Sequence, residues 1–310
     1  MPPLANRLLT NASTLHTTQN NIAPANEETH KTIALSWQEK QDMLTGEIDG
    51  YLTYYDVDDF TDPWKEPATV LLYHGLGRSV DVWYRWVPVL ARHYRVLRTD
   101  CRGHGRSDPP RQGYQWSLAT LAREAKLLLD RLAIRRVHWA GESLGGLIGI
   151  QFANDYPDRL ASLTLCSTPY RYNAPAQDEY RRWSQHLQRM SVKEWYLQGT
   201  ELRFDPSKDD QQMIQWFADL VGQTDAGVVR AVLRFLPDVD VSALCTRITV
   251  PTLIIHPGQS LAVPLEDAQA MHQAIPASRL VEYKSARHNV FITHGEECAQ
   301  EMLRFLHSLA

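Results

Sequence analysis

The sequence predicts an α/β fold with a mostly parallel sheet and helices on both of its faces. From about residue 50 onward, short apolar segments alternate with segments of helical periodicity, and this alternation is typical of a parallel sheet. The apolar segments are almost continuously hydrophobic, as expected of strands that are covered on both faces. One long stretch, residues 171–245, contains helical patterns only and predicts an inserted helical cap over one end of the sheet.

The composition is that of a globular protein and argues against several functional classes. The chain has 310 residues, of which 44% are hydrophobic, and a formal net charge of −4. A chain of this length buries ~75% of the surface of its unfolded form. The absence of a basic block argues against nucleic acid as the main partner. The sequence contains no run of ~18 apolar residues, so we expect no membrane-spanning helix and no membrane partner.

The cysteine pattern and the first residues predict a cytoplasmic protein. The four cysteines are widely spaced and form no C-x-x-C pair, which favours reduced thiols over a disulfide framework. The first ten residues lack the basic and apolar regions of a secretory signal.

The chain divides into three predicted regions. Residues 1–30 are polar and without periodicity, so we interpret them as an extension. A core is predicted over 31–170 and 246–310, with the cap at 171–245 between its two parts. The extension would allow the chain to wrap a second copy, and a homo-oligomer is therefore one possible state.

The individual elements follow from the apolar runs and the helical patterns between them. The predicted strands cover 68–73, 94–99, 136–140, 162–166, 252–256 and 280–284. The predicted core helices cover 81–92, 117–132, 144–155, 264–274 and 296–309. The predicted cap helices cover 176–190, 191–199, 208–222 and 225–236.

The motif G-x-S-x-G at residues 141–145 predicts a catalytic serine. It follows the strand 136–140 directly and precedes an apolar helix, which is the setting of a nucleophile elbow. The glycines allow the sharp turn that presents Ser143 above the sheet. The N–H groups of Leu144 and of Leu76, which follows the strand 68–73, would then face a developing oxyanion.

Two other polar residues at strand ends are better explained by structural roles. His74 ends the strand 68–73 and is expected to support the glycine turn that follows it. Asp100 ends the strand 94–99 and is expected to hold the next loop.

The sequence predicts neither a metal nor an organic cofactor. The histidines are scattered, without H-E-x-x-H or a close His/Cys cluster. The glycines at 141–146 do not form G-x-G-x-x-G followed by an acid about 20 residues on.

Five segments of the sequence, taken together, resemble the α/β-hydrolases. The matching segments occur in family order and are YHGLG (73–77), TDCRGHGRSDPP (99–110), GESLGG (141–146), VPTLIIHPG (250–258) and SARHNVF (285–291). The resemblance implies an α/β-hydrolase fold in which His288, after the last strand, is the general base for Ser143. His294 is a weaker candidate because it falls at the start of the last helix. The segments 160–173 and 240–264 more loosely resemble 3-oxoadipate enol-lactonases, which implies a small ester or lactone as substrate.

The chain departs from the family pattern at the third member of the triad. The expected acid position holds Ser260, and Gln259 beside it is not an acid either. The alternative position after the strand 162–166 also lacks a carboxylate. Loss of this acid costs such a triad about 10⁴-fold in rate.

Three explanations of the missing acid remain open. Another carboxylate takes the role, or the enzyme works with serine and histidine alone, or the chain is a ligand-binding pseudo-enzyme. Glu142 is set aside because its side chain, beside Ser143 in the elbow, is expected to point away from the hydroxyl. The other candidate acids are Glu266, Asp267, Asp178, Glu179, Asp238 and Asp240.

The sequence thus predicts a serine hydrolase that cleaves a small ester or lactone, without a metal or cofactor. Carbon–carbon bond hydrolysis and lyase chemistry would use the same serine and histidine positions and stay open. We expect cap aromatic residues to line an apolar pocket. The cap arginines are candidates for binding a substrate carboxylate: Arg171, Arg181, Arg182, Arg189 and Arg203.

Overall fold

The computed structural model describes residues 45–309, and the predicted extension at 1–30 lies outside these residues. Within them the strands form one eight-stranded sheet in the order β1-β2-β4-β3-β5-β6-β7-β8. β3 to β8 run parallel, and β2 pairs antiparallel with β1 and β4. The strands are β1 Thr45–Ile48, β2 Tyr51–Asp58, β3 Thr69–Tyr73, β4 Arg95–Thr99, β5 Val137–Glu142, β6 Leu160–Cys166, β7 Thr252–Pro257 and β8 Ser278–Tyr283.

The predicted α/β architecture is confirmed, and all six predicted strands are present as β3 to β8. The central strands are apolar because both of their faces are covered. In β3, Val70 and Leu72 join one hydrophobic cluster, whereas Leu71 and Tyr73 join the other. This alternation follows from the two-residue period of a strand, which sends successive side chains to opposite faces.

The hairpin of β1 and β2 was not predicted from the sequence. β2 lies near the edge of the sheet and is mostly half-buried, so it lacks the continuous apolar run of the central strands. Asp49 and Gly50 form its turn with positive φ values of 56° and 79°. An Asp-Gly pair favours this type of two-residue hairpin turn.

Helices cover both faces of the sheet. Side chains of α1 and α12 belong to the cluster that contains Val70, and those of α2, α3 and α10 belong to the cluster that contains Leu71. The helices are α1 Val87–Leu90, α2 Leu118–Arg131, α3 Leu144–Asp155, α4 Ala174–His186, α5 Val192–Gln198, α6 Thr200–Arg203, α7 Gln211–Val221, α8 Ala226–Phe235, α9 Ser242–Cys245, α10 Leu265–Ala274, α11 Val290–Thr293 and α12 Gly295–His307. Short 3₁₀ turns occur at Val80–Trp83, Pro157–Arg159 and Leu236–Asp238.

The predicted helix at 81–92 is divided into a 3₁₀ turn and α1. Pro88 lies in the first turn of α1. A proline fits there, but inside a continuous helix it would remove a hydrogen bond and clash with the preceding turn.

The helices α4 to α9 lie between β6 and β7, and we call residues 174–245 the helical insertion. Several of its helices begin at a residue whose side chain accepts a backbone N–H, including Asn173, Ser191, Asp210 and Asp225. Buried insertion residues such as Trp195 belong to the same cluster as α12. The division into a core and a cap remains a prediction. No helix within residues 45–309 has the length and apolar character needed to span a bilayer.

Candidate active site

Ser143 occupies a sharp turn between β5 and α3. Its φ and ψ are 50° and −112°, a conformation that non-glycine residues rarely adopt and that stores strain. A Cβ atom at Gly145 would lie 2.0 Å from the carbonyl oxygen of Tyr73, and one at Gly141 would lie 2.2 Å from that of Gly145. The turn therefore requires both glycines of the motif, and the strand–turn–helix geometry is that of a nucleophile elbow.

His288 lies in the loop between β8 and α11 and lines the same cavity as Ser143. The loop is held in place because Ser167 Oγ donates a hydrogen bond of 2.7 Å to the carbonyl oxygen of His288. Burial, followed by the charges of Arg78 and Arg203, holds the pKa of His288 well below its usual value. The imidazole is therefore neutral at pH 7, which is the form that can accept a proton.

The assignment of the backbone N–H groups of Leu76 and Leu144 to an oxyanion hole stays a prediction. Leu76 lines the cavity beside Ser143. It precedes Gly77, whose φ is 76°. Leu144 is the first residue of α3, so its N–H has no acceptor one turn earlier in the helix.

Glu142, which sequence reasoning set aside, contacts His288. Its side chain is fully buried, and Oε1 lies 3.8 Å from His288 Nε2. Its Oε2 lies 3.1 Å from Arg78 Nη1. Burial raises the pKa of Glu142 to about 7, and the charge of Arg78 opposes this rise. Within residues 45–309, no other carboxylate lies within 4.0 Å of His288.

The sequence contained an indication that Glu142 has a charged partner. A glutamate that ends a buried strand is rarely left without a partner. Arg78, in the turn after the neighbouring strand β3, supplies that partner.

Ser260, in the expected acid position, stabilises its own loop. Its Oγ accepts hydrogen bonds from the N–H groups of Ala262 (3.3 Å) and Val263 (3.1 Å). The loop lies beside that of His288, since Gln259 N–H donates to the carbonyl oxygen of Ala286. Within the described residues, Nδ1 of His288 has no hydrogen-bond partner.

The other candidate acids have different contacts. Asp267 lies 4.0 Å from Arg171, and Asp240 accepts a hydrogen bond from Ser242 N–H. Asp178 and Asp238 pair with Arg181, and Glu179 pairs with Arg182. In residues 45–309 neither they nor Glu266 form an ion pair with His288.

His74 and Asp100 have the structural contacts expected of them. His74 Nε2 accepts a hydrogen bond from Cys101 N–H, and its Nδ1 donates to the carbonyl oxygen of Gly75. Asp100 accepts hydrogen bonds from the N–H groups of Val80 (2.7 Å) and Arg106 (2.9 Å). His294 immediately precedes α12 and does not line the cavity with Ser143.

A hydrogen-bonded chain joins the loops of the site to the helical insertion. Arg78 Nη2 donates to Asn289 Oδ1 (2.9 Å), and Asn289 Nδ2 donates to the hydroxyl of Tyr196 (2.8 Å). Asn289 N–H donates to the carbonyl oxygen of Arg203 (3.0 Å). These bonds fix the insertion relative to the loop that carries His288.

The cavity at Ser143 and His288 has a volume of about 50 Å³. Trp183 and Trp195 separate it from an adjoining cavity of about 380 Å³ in the insertion. Its remaining walls are formed by Leu76, Arg78, Tyr180, Tyr196, Arg203, Leu233 and Leu236. In the described part of the chain, no three His, Cys, Asp or Glu side chains are grouped so as to hold a metal ion.

The fold is shared with solved structures of hydrolases. The enol-lactonase from Burkholderia xenovorans LB400 superposes with a TM-score of 0.78 over 85% of this chain and 99% of that one, at 24% identity. An esterase from Exiguobacterium antarcticum superposes with a TM-score of 0.76 over 85% and 98%, at 22% identity. At these identities the likeness shows the fold.

Sequence relatives show the family. Residues 68–191 match the family model described as alpha/beta hydrolase fold. A pimeloyl-[acyl-carrier protein] methyl ester esterase of Aeromonas salmonicida is 31% identical over 252 residues, 77% of this chain and 94% of that protein. A putative carbamate hydrolase RutD of Pseudomonas syringae is 32% identical over 241 residues, 74% and 89% of the two chains. The chain, as the sequence predicted, belongs to the α/β-hydrolase family.

Proposed function

We propose that the chain is a serine hydrolase that cleaves a small ester or lactone, with Ser143 as nucleophile and His288 as general base. The observation that carries the proposal is that Ser143, in its strained turn, and the neutral, buried His288 line one small cavity. The similarity to a methyl ester esterase supports ester chemistry.

In the acylation step, Ser143 Oγ attacks the carbonyl carbon of the substrate and His288 takes the hydroxyl proton. The carbonyl oxygen becomes an oxyanion, which the N–H groups of Leu76 and Leu144 stabilise. Each such donor contributes about 10²–10³-fold to the rate. His288 then gives its proton to the leaving oxygen, and the acyl group stays on Ser143.

In the deacylation step, His288 activates a water molecule that attacks the acyl carbonyl. The acid product leaves, and the proton returns from His288 to Ser143. Substrate and water are the only reactants that this sequence of steps consumes.

Glu142 acts as a positioning residue in this mechanism. Proton transfer from Ser143 turns His288 into an imidazolium, and a carboxylate 3.8 Å away stabilises that charge in a buried site. Glu142 thereby supplies a negative charge beside Nε2 of His288, whereas the missing triad acid would have held Nδ1.

The experiment that tests this proposal combines turnover with covalent labelling. Wild-type protein should hydrolyse a short-chain 4-nitrophenyl ester and should incorporate ¹⁸O from labelled water into the acid. A fluorophosphonate should add once to the peptide that contains Ser143. Ser143→Ala should abolish both turnover and labelling, whereas Ser207→Ala, at an exposed serine, should change neither.

Each failure has a distinct meaning. Turnover without ¹⁸O incorporation would indicate that the acyl group is transferred to an acceptor other than water. A wild-type protein that neither turns over the ester nor takes the label would contradict the proposal and favour a ligand-binding role.

A further inference from the structure

Arg203 is a buried arginine in the wall of the reaction cavity. It ends α6, its exposed fraction is 8%, and it lines the cavity together with Ser143 and His288. No carboxylate within residues 45–309 lies within 4.0 Å of its guanidinium, although the chain pairs its other buried arginines, Arg78 and Arg102, with Glu142 and Glu124.

The contacts of Arg203 orient its charge without neutralising it. Nη1 donates hydrogen bonds to the carbonyl oxygens of Gly199 (2.7 Å) and Tyr196 (3.3 Å). The guanidinium carbon lies 4.4 Å from the ring centre of Tyr196 and 5.0 Å from that of Trp195. Nε and Nη2 have no hydrogen-bond acceptor among the described residues, so part of the guanidinium is available to a ligand.

Among the described residues, the charges around the cavity leave at least one positive charge in excess. The ionised form of Glu142 is paired with Arg78, and His288 is neutral, so neither balances the charge of Arg203. Burying an unpaired ion is costly, and a protein rarely retains one unless a ligand or partner supplies the opposite charge. Burial and the charge of Arg78 lower the pKa of Arg203, which is the effect of a missing counter-ion.

We propose that Arg203 binds a carboxylate carried by the substrate, so that the site acts on monoanionic esters or lactones in preference to neutral ones. The reaction itself rests on the proposed function, but the binding of the anion does not. The ester carbonyl would lie at Ser143, and the carboxylate of the same substrate would accept hydrogen bonds from Nε and Nη2 of Arg203. Two acids line the adjoining cavity: Glu179 is paired with Arg182, and Glu201 is exposed to solvent.

The first test compares two esters that differ in one charge. The substrates are the 4-nitrophenyl monoester of adipic acid and the corresponding 4-nitrophenyl methyl diester. Wild-type protein should show a kcat/KM for the monoanion that is about 10–100-fold higher, as expected for a hydrogen-bonded ion pair. Arg203→Met should lower the ratio of the two kcat/KM values to near one, and Arg203→Lys should keep much of it because it keeps the charge.

The control is Arg234→Met, which makes the same chemical change at an exposed arginine of helix α8 in the insertion and should leave the ratio unchanged. A purely structural role of Arg203, through Tyr196 and Gly199, would lower both rates together and leave the ratio unchanged. That result would overturn the proposal, as would a wild-type protein without preference for the monoanion.

The second test measures binding and does not depend on turnover. Ser143→Ala protein is titrated with monomethyl adipate and with dimethyl adipate by calorimetry. The monoanion should bind at least about tenfold more tightly. The preference should disappear when Arg203→Met is added. Equal affinities for the two adipate esters would overturn the anion site. If the monoanion binds more tightly but the wild-type protein hydrolyses neither 4-nitrophenyl ester, only the hydrolase proposal is overturned.

Discussion

Glu142 Oε1 lies 3.8 Å from His288 Nε2, in a site where the usual triad position holds a serine. The two residues are adjacent because β5 ends at Glu142, in the centre of the sheet, and the loop after β8 folds back over the carboxyl ends of the strands. Arg78 holds the other carboxylate oxygen, so the glutamate is fixed between a permanent charge and a titratable ring.

Glu142→Gln should lower kcat/KM for a 4-nitrophenyl ester by about 10–10³-fold, because it removes the charge that stabilises the imidazolium. It should also change the pH profile. With its pKa raised to about 7, Glu142 becomes an anion as the pH rises through 7, so wild-type kcat/KM should rise there. The variant should lack that rise, since the pKa of His288 is well below its usual value. A variant that retains the rise near pH 7 would contradict this role.

The same residue should affect stability with a defined sign. The carboxyl group of Glu142 has a pKa of about 7 in the folded protein, against a model value of 4.5. Between these values the folded state binds more protons than the unfolded state, so the contribution of Glu142 to the free energy of unfolding falls as the pH rises. Glutamine does not titrate, and the Glu142→Gln variant should therefore gain stability relative to wild type from pH 5 to pH 8. Denaturant unfolding at both pH values measures this change.

The control for that measurement is Glu47→Gln, at an exposed glutamate in β1. Its stability relative to wild type should stay nearly constant over the same interval. If Glu142→Gln behaves in the same way, or loses stability relative to wild type as the pH rises, the carboxyl group does not titrate as proposed.

Ser260→Asp should change kcat/KM by less than about threefold, because Glu142 already supplies a negative charge to His288. The loop should tolerate the change, since an aspartate side chain can accept the same hydrogen bonds from the N–H groups of Ala262 and Val263. Steady-state kinetics of the wild-type protein and the variant on one ester measures the change in kcat/KM. Acceleration of tenfold or more would mean that the wild-type protein works as a serine–histidine pair without an effective acid.

Gly145→Ala should destabilise the protein by about 3 kcal/mol or more, through backbone displacement at the elbow. The added Cβ would lie 2.0 Å from the carbonyl oxygen of Tyr73, and backbone cannot yield as a flexible side chain can. Thermal or denaturant unfolding measures the loss. Gly46→Ala is the matched control, because the nearest atom of the described residues, apart from its two chain neighbours, lies 3.7 Å from its added Cβ. Comparable losses in the two variants would show that the elbow accommodates a side chain.

The parallel part of the sheet and the elbow were predictable from the sequence because they depend on local patterns. β3 to β8 are recognisable since strands covered on both faces are almost continuously apolar. The turn at Ser143 is recognisable because glycine is required on either side of it. The β1–β2 hairpin was missed since a half-exposed edge strand lacks that apolar run.

The sequence by itself thus determined the α/β fold, the elbow of Ser143 and the position of His288 after the last strand. The tertiary structure decided that Glu142 contacts His288 and that Arg203 faces the same cavity without a carboxylate partner in the described chain. Periodicity records which face of an element is buried, but it does not record which distant residues meet. Those contacts depend on how the sheet, its loops and the helical insertion pack together, and the electrostatics of the site follow from that packing.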